Sequence, residues 1–215
     1  MPKTTEAAFR ADDPLVIRDL EFLGGMATAD GWRPPTALPE VAFAGRSNVG
    51  KSSLLNRLVR RKAFARVSNT PGRTREVNFF QVNKAFVLVD LPGYGYARVS
   101  KEKREHWQPL IEGYLRNSDM LRGVVQLVDA RREPSVEDLQ MFDLLADIGV
   151  PAIVAATKTD KLRPREVEPR VESLAQRLHV DREQVVAFSA VTGAGRNELA
   201  EAVMGLLDAP SWRVA

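Results

Sequence analysis

Val41-Ala42-Phe43-Ala44-Gly45-Arg46-Ser47-Asn48-Val49-Gly50-Lys51-Ser52-Ser53-Leu54-Leu55 is the stretch that decides how this chain folds. An apolar run of strand length enters a glycine-bounded loop, and the loop opens into a segment with helical spacing. Positions 45 to 52 match G-x-x-x-x-G-K-[ST] at every fixed position, and between a strand and a helix such a loop is a phosphate cradle. The glycines let the backbone wrap the phosphates, so that successive N–H groups and the helix N-terminus face negative charge. Lys51 is expected to reach the β- and γ-phosphates, and the Ser52 hydroxyl to complete Mg²⁺ coordination.

The alternation continues outward from this stretch. VAFAG (41–45), NFFQV (78–82), AFVLVD (85–90), GVVQLVD (123–129), AIVAAT (152–157) and VVAF (185–188) read as strands. Several are apolar throughout, as strands buried on both faces of a mostly parallel sheet are. Residues 51–60, 101–117, 135–148, 164–178 and 195–207 read as helices, giving a βα alternation. Only Asn83 and Lys84 separate NFFQV from AFVLVD, which predicts an antiparallel hairpin at the sheet edge. The expected class is α/β, a mostly parallel sheet of about six strands with one antiparallel edge strand, flanked by helices. Residues 1–39 read as an extension, with a short helix around Leu15, Ile17, Leu20 and Phe22, then Gly24-Gly25 and a surface-crossing linker through Pro34, Pro35 and Pro39. Residues 40–208 make the nucleotide-binding domain and 209–215 a C-terminal tail. No internal repeat or low-complexity tract interrupts them.

With 215 residues, 44% of them hydrophobic, the chain supplies one sizeable core. No apolar run reaches the roughly 18 residues that span a bilayer, and MPKTTEAAFRADDP carries acidic residues where a signal peptide is apolar. A soluble, cytoplasmic protein without a membrane partner is expected. The absence of cysteine excludes disulfides, thiolate metal sites and cysteine nucleophiles. Net charge is only +3, but Arg57 to Arg75 holds seven Lys or Arg and no acid. Such a field favours an anionic partner such as RNA, and an ordinary solvated basic face is the alternative.

Asp90-Leu91-Pro92-Gly93 closes the strand AFVLV as a DxxG at the sheet edge where α/β folds bind ligands. Asp90 is expected to orient a metal-bound water, and the Gly93 N–H to meet the γ-phosphate. Thr157-Lys158-Thr159-Asp160 follows another strand and matches the T/N-K-x-D base signature. The Asp160 carboxylate would accept from N1–H and the exocyclic amine of guanine; adenine lacks that donor pair and would leave a desolvated charge. The Lys158 stem covers the base, and Thr157 stands where Asn is common. Phe188-Ser189-Ala190 ends the last strand with N–H groups for guanine O6. Between the cradle and DxxG lies Ser68-Asn69-Thr70-Pro71-Gly72-Arg73-Thr74-Arg75. A GTP switch needs a mobile Thr there, on Mg²⁺ and sensing the γ-phosphate; Thr74 is the choice and Thr70 the competitor.

Together, GRSNVGKSSLLN, TPGRTR followed by NFF, DLPGYGYA, TKTD and FSA resemble the EngB (YihA) family of bacterial ribosome-biogenesis GTP-binding proteins, in the TrmE-Era-EngA-EngB-Septin-like group. The resemblance covers about residues 40 to 207 and includes the short extension. It implies a Ras-like fold, GTP hydrolysis to GDP with Mg²⁺, a role on the maturing large ribosomal subunit, and a link to division and septation. A monomer is expected. Carried over by position, the nucleotide contacts are Gly45, Arg46, Ser47, Asn48, Val49, Gly50, Lys51, Ser52, Gly72, Arg73, Thr74, Arg75 and Glu76, then Asp90, Leu91, Pro92, Gly93, Thr157, Lys158, Thr159, Asp160, Phe188, Ser189 and Ala190. Ser52 and Thr74 fall on the metal, and Lys51, Thr74 and Gly93 form the catalytic set.

Tyr94 follows DxxG where Ras-like enzymes place the Gln that orients water, so low intrinsic turnover is expected. His106 and His179 read as solvated or capping residues. Asn48 stands where potassium-stimulated GTPases with a similar loop hold K⁺; a local backbone hydrogen bond is the alternative. Two further readings remain: a module that binds GTP for stability without hydrolysing it, and an RNA-modification GTPase, for whose extra domain the length leaves no room.

Overall fold

The computed structural model describes residues 13–61, 76–95 and 101–213, with only the backbone course for 101–107. Among these residues seven strands form one sheet: β1 (Leu20–Met26), β2 (Glu40–Gly45), β3 (Val77–Val82), β4 (Phe86–Asp90), β5 (Leu121–Asp129), β6 (Ala152–Thr157) and β7 (Val185–Ala187), in the order β1-β3-β4-β2-β5-β6-β7. From β4 across to β7 the neighbours are parallel, while β3 pairs antiparallel with both β4 and β1. Among the described residues five α-helices complete the alternation: α1 (Lys51–Leu58), α2 (Lys101–Asn117), α3 (Val136–Ile148), α4 (Pro164–Leu178) and α5 (Arg196–Asp208).

Both faces of the sheet's centre are covered, which is why β2, β4, β5 and β6 are largely apolar on both sides. Val41, Phe43, Val125 and Leu127 pack under α1 and α5. Ala42, Ala44 and Val124 face α2 and α3, and Val128, Val154 and Ala156 face α3 and α4. Among the described residues, no helix is long and apolar enough to cross a membrane.

The α/β class and all five helices stand where the sequence places them. One local reading is corrected: Leu20 and Phe22 lie in β1, not in a short helix. The expected hairpin forms, though not as the edge of the sheet, with Asn83 and Lys84 at positive φ and the Ala85 N–H donating to the Val82 carbonyl at 2.9 Å. That leaves the outer edge of β3 needing partners, and β1 supplies them from Leu20↔Val82 to Met26↔Val77, with a bulge between Phe22 and Gly24. Phe22 packs on Phe80 with ring centroids 5.2 Å apart. Tertiary pairing here overrides the local pattern.

The segment after β1 returns to the sheet centre across α2. Ala29 lies against Gly113, where an added Cβ would come within 2.6 Å of the Ala29 side chain, and the Arg33 guanidinium stands 5.7 Å from the Tyr114 ring. At the end of the same helix Arg213 donates to the carbonyls of Leu115 at 2.8 Å and Arg116 at 2.7 Å. Buried Arg196 joins the N-terminal segment to the helical layer, pairing with Asp13 and donating to the carbonyls of Leu15 at 2.8 Å and Leu58 at 2.9 Å.

Candidate nucleotide site

Three loops meet at the C-terminal ends of β2, β4 and β6. The first runs from Gly45 into α1, and Gly50 makes its last turn at φ 108°, a conformation open to glycine and costly for other residues. Asn48 also sits at positive φ, 67°. Lys51 extends from the first position of α1 and pairs with Asp90, the last residue of β4. Both are largely buried, with 11% and 4% of their side-chain surfaces exposed.

The second loop, Asp90 to Gly93, is stitched to the first. The Ser47 N–H donates to the Tyr94 carbonyl at 2.8 Å, and a Cβ on Gly93 would stand 3.2 Å from the Ser47 hydroxyl. Leu91 and Pro92 are buried beneath the turn. Tyr94 is also wholly buried, its phenol donating to Asp138 at 2.9 Å and accepting from the Gln126 amide. Burial, reinforced by the Asp138 carboxylate, raises the phenol well above its usual range, so it stays protonated. The side chain at the usual water-orienting position therefore turns into the core.

The third loop follows β6. Thr157 is buried, and its hydroxyl meets the Val49 carbonyl at 2.8 Å and the Val128 carbonyl at 3.2 Å, tying the base loop to the cradle as the shorter side chain there must. Lys158 takes φ 64°; its stem passes Gly50, and its ammonium donates to the Asn48 carbonyl at 2.7 Å and to Asp129 at 2.9 Å. Thr159 and Asp160 enter a short 3-10 turn, and the Thr159 N–H donates to the Phe188 carbonyl at 3.3 Å. The Ser189 hydroxyl donates to Asp160 at 2.8 Å, bringing the FSA segment to the base loop.

Gly45, Arg46, Ser47, Asn48, Val49, Gly50, Lys51 and Ser52 thus meet Asp90 to Gly93, Thr157 to Asp160 and Phe188 to Ala190 at one edge. Glu76, just before β3, lies at the same sheet edge, two residues before Asn78, the partner of Asp90, with its carboxylate against Gly25 of β1. Thr70, Gly72, Arg73, Thr74 and Arg75 lie outside the described residues. His179 is the exposed C-cap of α4, and the His106 side chain is not described.

Three supporting residues escaped the sequence reading. Asp129 bonds Arg131 at 2.9 and 2.8 Å as well as Lys158; burial opposes its ionisation, but these cations outweigh that and hold its carboxyl well below the usual range. Arg57, counted with the basic run, donates to the carbonyls of Ala190 and Val191, both at 2.7 Å, and so fastens the FSA loop to α1. Gln126 sits unannounced in an apolar strand. None belongs to a motif; each is visible only once the strands are in register.

Residues 40–158, more than half of the chain, match the family described as 50S ribosome-binding GTPase. A probable GTP-binding protein EngB of Gemmatimonas aurantiaca is 66% identical over 93% of this chain and 98% of its own length. One from Pelotomaculum thermopropionicum is 51% identical over 87% of this chain and 94% of its own. The crystal structure of a probable GTP-binding protein EngB superposes with a TM-score of 0.66 at 26% identity, covering 78% of this chain and 98% of that one. The chain accordingly belongs to the EngB family of GTP-binding proteins, among the 50S ribosome-binding GTPases.

Proposed function

We propose that this chain hydrolyses GTP to GDP and phosphate as a slow switch in assembly of the large ribosomal subunit. The observation that carries the reading is the joining of three motif loops at one sheet edge: Lys51 to Asp90, Thr157 to Val49, and Lys158 to Asn48. The family's description supports the subunit as partner. Lys51 and the loop N–H groups hold the β- and γ-phosphates, the Gly93 N–H meets the γ-phosphate, and Asp160 reads guanine. The Lys158 stem lies over the base, and the Phe188 to Ala190 segment faces O6.

The donors near the phosphate position fit Mg²⁺. Ser52 in the first turn of α1 offers a hard oxygen and Asp90 beside Lys51 a carboxylate for a metal-bound water, and nucleotide-bound Mg²⁺ takes few protein oxygens beyond the phosphates and water. Ser52 and Thr74 hold the ion in this reading, and Asp90 orients its water. Bound there, Mg²⁺ neutralises charge on the β- and γ-oxygens. Burial of Tyr94 supports slow turnover, because no side chain at that position aligns water. K⁺ beside Asn48 would add positive charge. The same burial favours a second reading, a module that binds GTP for stability without hydrolysing it. A monomeric, cytoplasmic protein is part of the proposal, and the link to division and septation rests on the resemblance alone.

Co-sedimentation with ribosomal subunits tests the proposal. The expected outcome is retention on the large subunit with a GTP analogue, release with GDP, and subunit-stimulated hydrolysis. Equal binding in both states without stimulated hydrolysis would leave the second reading.

A further inference from the structure

Among the described residues Tyr94 is one of the largest fully buried side chains, and a phenylalanine would fill nearly the same space. The chain nevertheless places three polar groups together beneath the DxxG turn. Gln126, wholly buried in β5, donates to the phenol oxygen, and the phenol donates to Oδ1 of Asp138 at 2.9 Å. Oδ2 of the same carboxylate accepts from the Ser135 N–H at 3.0 Å and hydroxyl at 2.8 Å, which caps α3. One buried carboxylate therefore fixes both the start of α3 and the Tyr94 ring.

An apolar trio of similar volume would be at least as stabilising, since each buried polar group gives up hydration. What directional hydrogen bonds add is a single position for the ring. That position matters because of the main chain. The Tyr94 carbonyl accepts from Ser47 in the phosphate cradle, Tyr94 bridges Arg46, and Gly93 lies directly before it against Ser47. Gly95, immediately after, takes φ 68°, so the chain can turn away once past the anchor.

We infer that the Tyr94 hydroxyl is a positioning device for the triphosphate: anchored by Gln126 and Asp138, it holds the Gly93 peptide against Ser47 and toward the γ-phosphate. The inference rests on the proposed role of Gly93. Tyr94 touches no phosphate itself, so its loss acts through the aim of that peptide. GDP has no γ-phosphate to be met by the Gly93 N–H, and the consequence should appear as a change in preference between nucleotides.

The test is Tyr94→Phe in the full chain, with Kd measured by titration for GDP and for a non-hydrolysable GTP analogue in Mg²⁺. The analogue should lose about fivefold more affinity than GDP, the scale of one net hydrogen bond. Gln126→Met should show the same preferential loss, and the double variant should lose no more than the worse single, as one coupled unit does. Equal losses for both nucleotides, or none, in both variants would reduce the trio to packing and overturn the inference. Gly93→Ala separates the two levels. If it weakens the analogue preferentially while Tyr94→Phe does not, only the positioning role fails; if neither discriminates, the assignment of Gly93 falls too.

Discussion

The Ser189 hydroxyl donates to Oδ1 of Asp160 at 2.8 Å, leaving Oδ2, with the exposed Lys161 ammonium 3.5 Å away, as the other acceptor. Asp160 exposes only 10% of its side chain, so an unpaired donor or acceptor facing it is costly. We expect Asp160→Asn to keep the Ser189 bond through its amide oxygen and to turn an NH₂ donor toward the base. GTP affinity should fall by about 100-fold or more, and xanthine nucleotides, which carry a carbonyl where guanine has its amine, should gain. Titration with both nucleotides checks this; an unchanged GTP affinity would remove Asp160 from the base site.

Asn48 presents an exposed side chain that makes no hydrogen bond among the described residues, while its backbone carbonyl is held by Lys158. An exposed Asn48 side chain is accessible to a cation, as the K⁺ hypothesis requires. Because Asn48 sits at φ 67°, Asn48→Gly is the clean deletion, since alanine would add backbone strain. Single-turnover hydrolysis should be faster in KCl than in NaCl at equal ionic strength, and Asn48→Gly should abolish the difference. Equal rates in the two salts, with and without ribosomal subunits, would sink the cation idea.

The basic run is partly committed to the fold. Arg60 pairs with Asp13 at 3.1 Å and Arg61 donates to the Arg18 carbonyl at 3.0 Å, whereas Lys62 lies outside the described residues. Arg61→Ala is therefore the more informative substitution, since it gives up one exposed hydrogen bond to the N-terminal segment, whereas Arg60→Ala strips an ion pair from the buried Asp13 carboxylate. If this face meets ribosomal RNA, Arg61→Ala should weaken subunit binding and lower its salt slope by about one unit. A slope equal to wild type would return Arg61 to the solvated surface.

What was legible in the sequence was whatever a short contiguous pattern must spell out. Gly45 to Ser52 and Asp90 to Gly93 are local solutions to wrapping phosphates, so spacing alone locates them. β1 was not legible, because the outer edge of β3 creates the strand and the bulge at Phe22 blurs its alternation. Asp129, Gln126 and Arg57 were hidden for a related reason: each acts on residues 29 to 134 positions away. The sequence does signal that Tyr94 departs from the expected glutamine. Where its ring goes depends on the gap between β5 and α3.

Glu40 opens β2 at the far end of the sheet, 5% exposed, with one oxygen accepting from Tyr114 and Ser118, both at 2.8 Å. Burial pushes its carboxyl above the usual range against those two bonds. The folded state then holds this proton to higher pH than the unfolded state does. Its contribution is full below the unfolded pKa and is lost as pH rises through the raised folded value. Glu40→Gln keeps an acceptor without the charge, and should gain on wild type in denaturant unfolding from about pH 4 to pH 7. Parallel profiles would mean that Glu40 titrates alike in both states.

Crossing α2, the segment from β1 does more than connect strands. Between Ala29 and Arg33 on one side and Arg213 on the other, the last turns of the helix are held at Gly113, Tyr114, Leu115 and Arg116. Pro109 lies just before that grip and removes one main-chain hydrogen bond from the helix. The described part of α2 is thus a helix with a held far end and a weak point near its middle. Bending is expected at Pro109 before the held turns give way. Amide exchange along α2 should divide there, slow from 110 to 117 whichever nucleotide is bound and state-dependent before it.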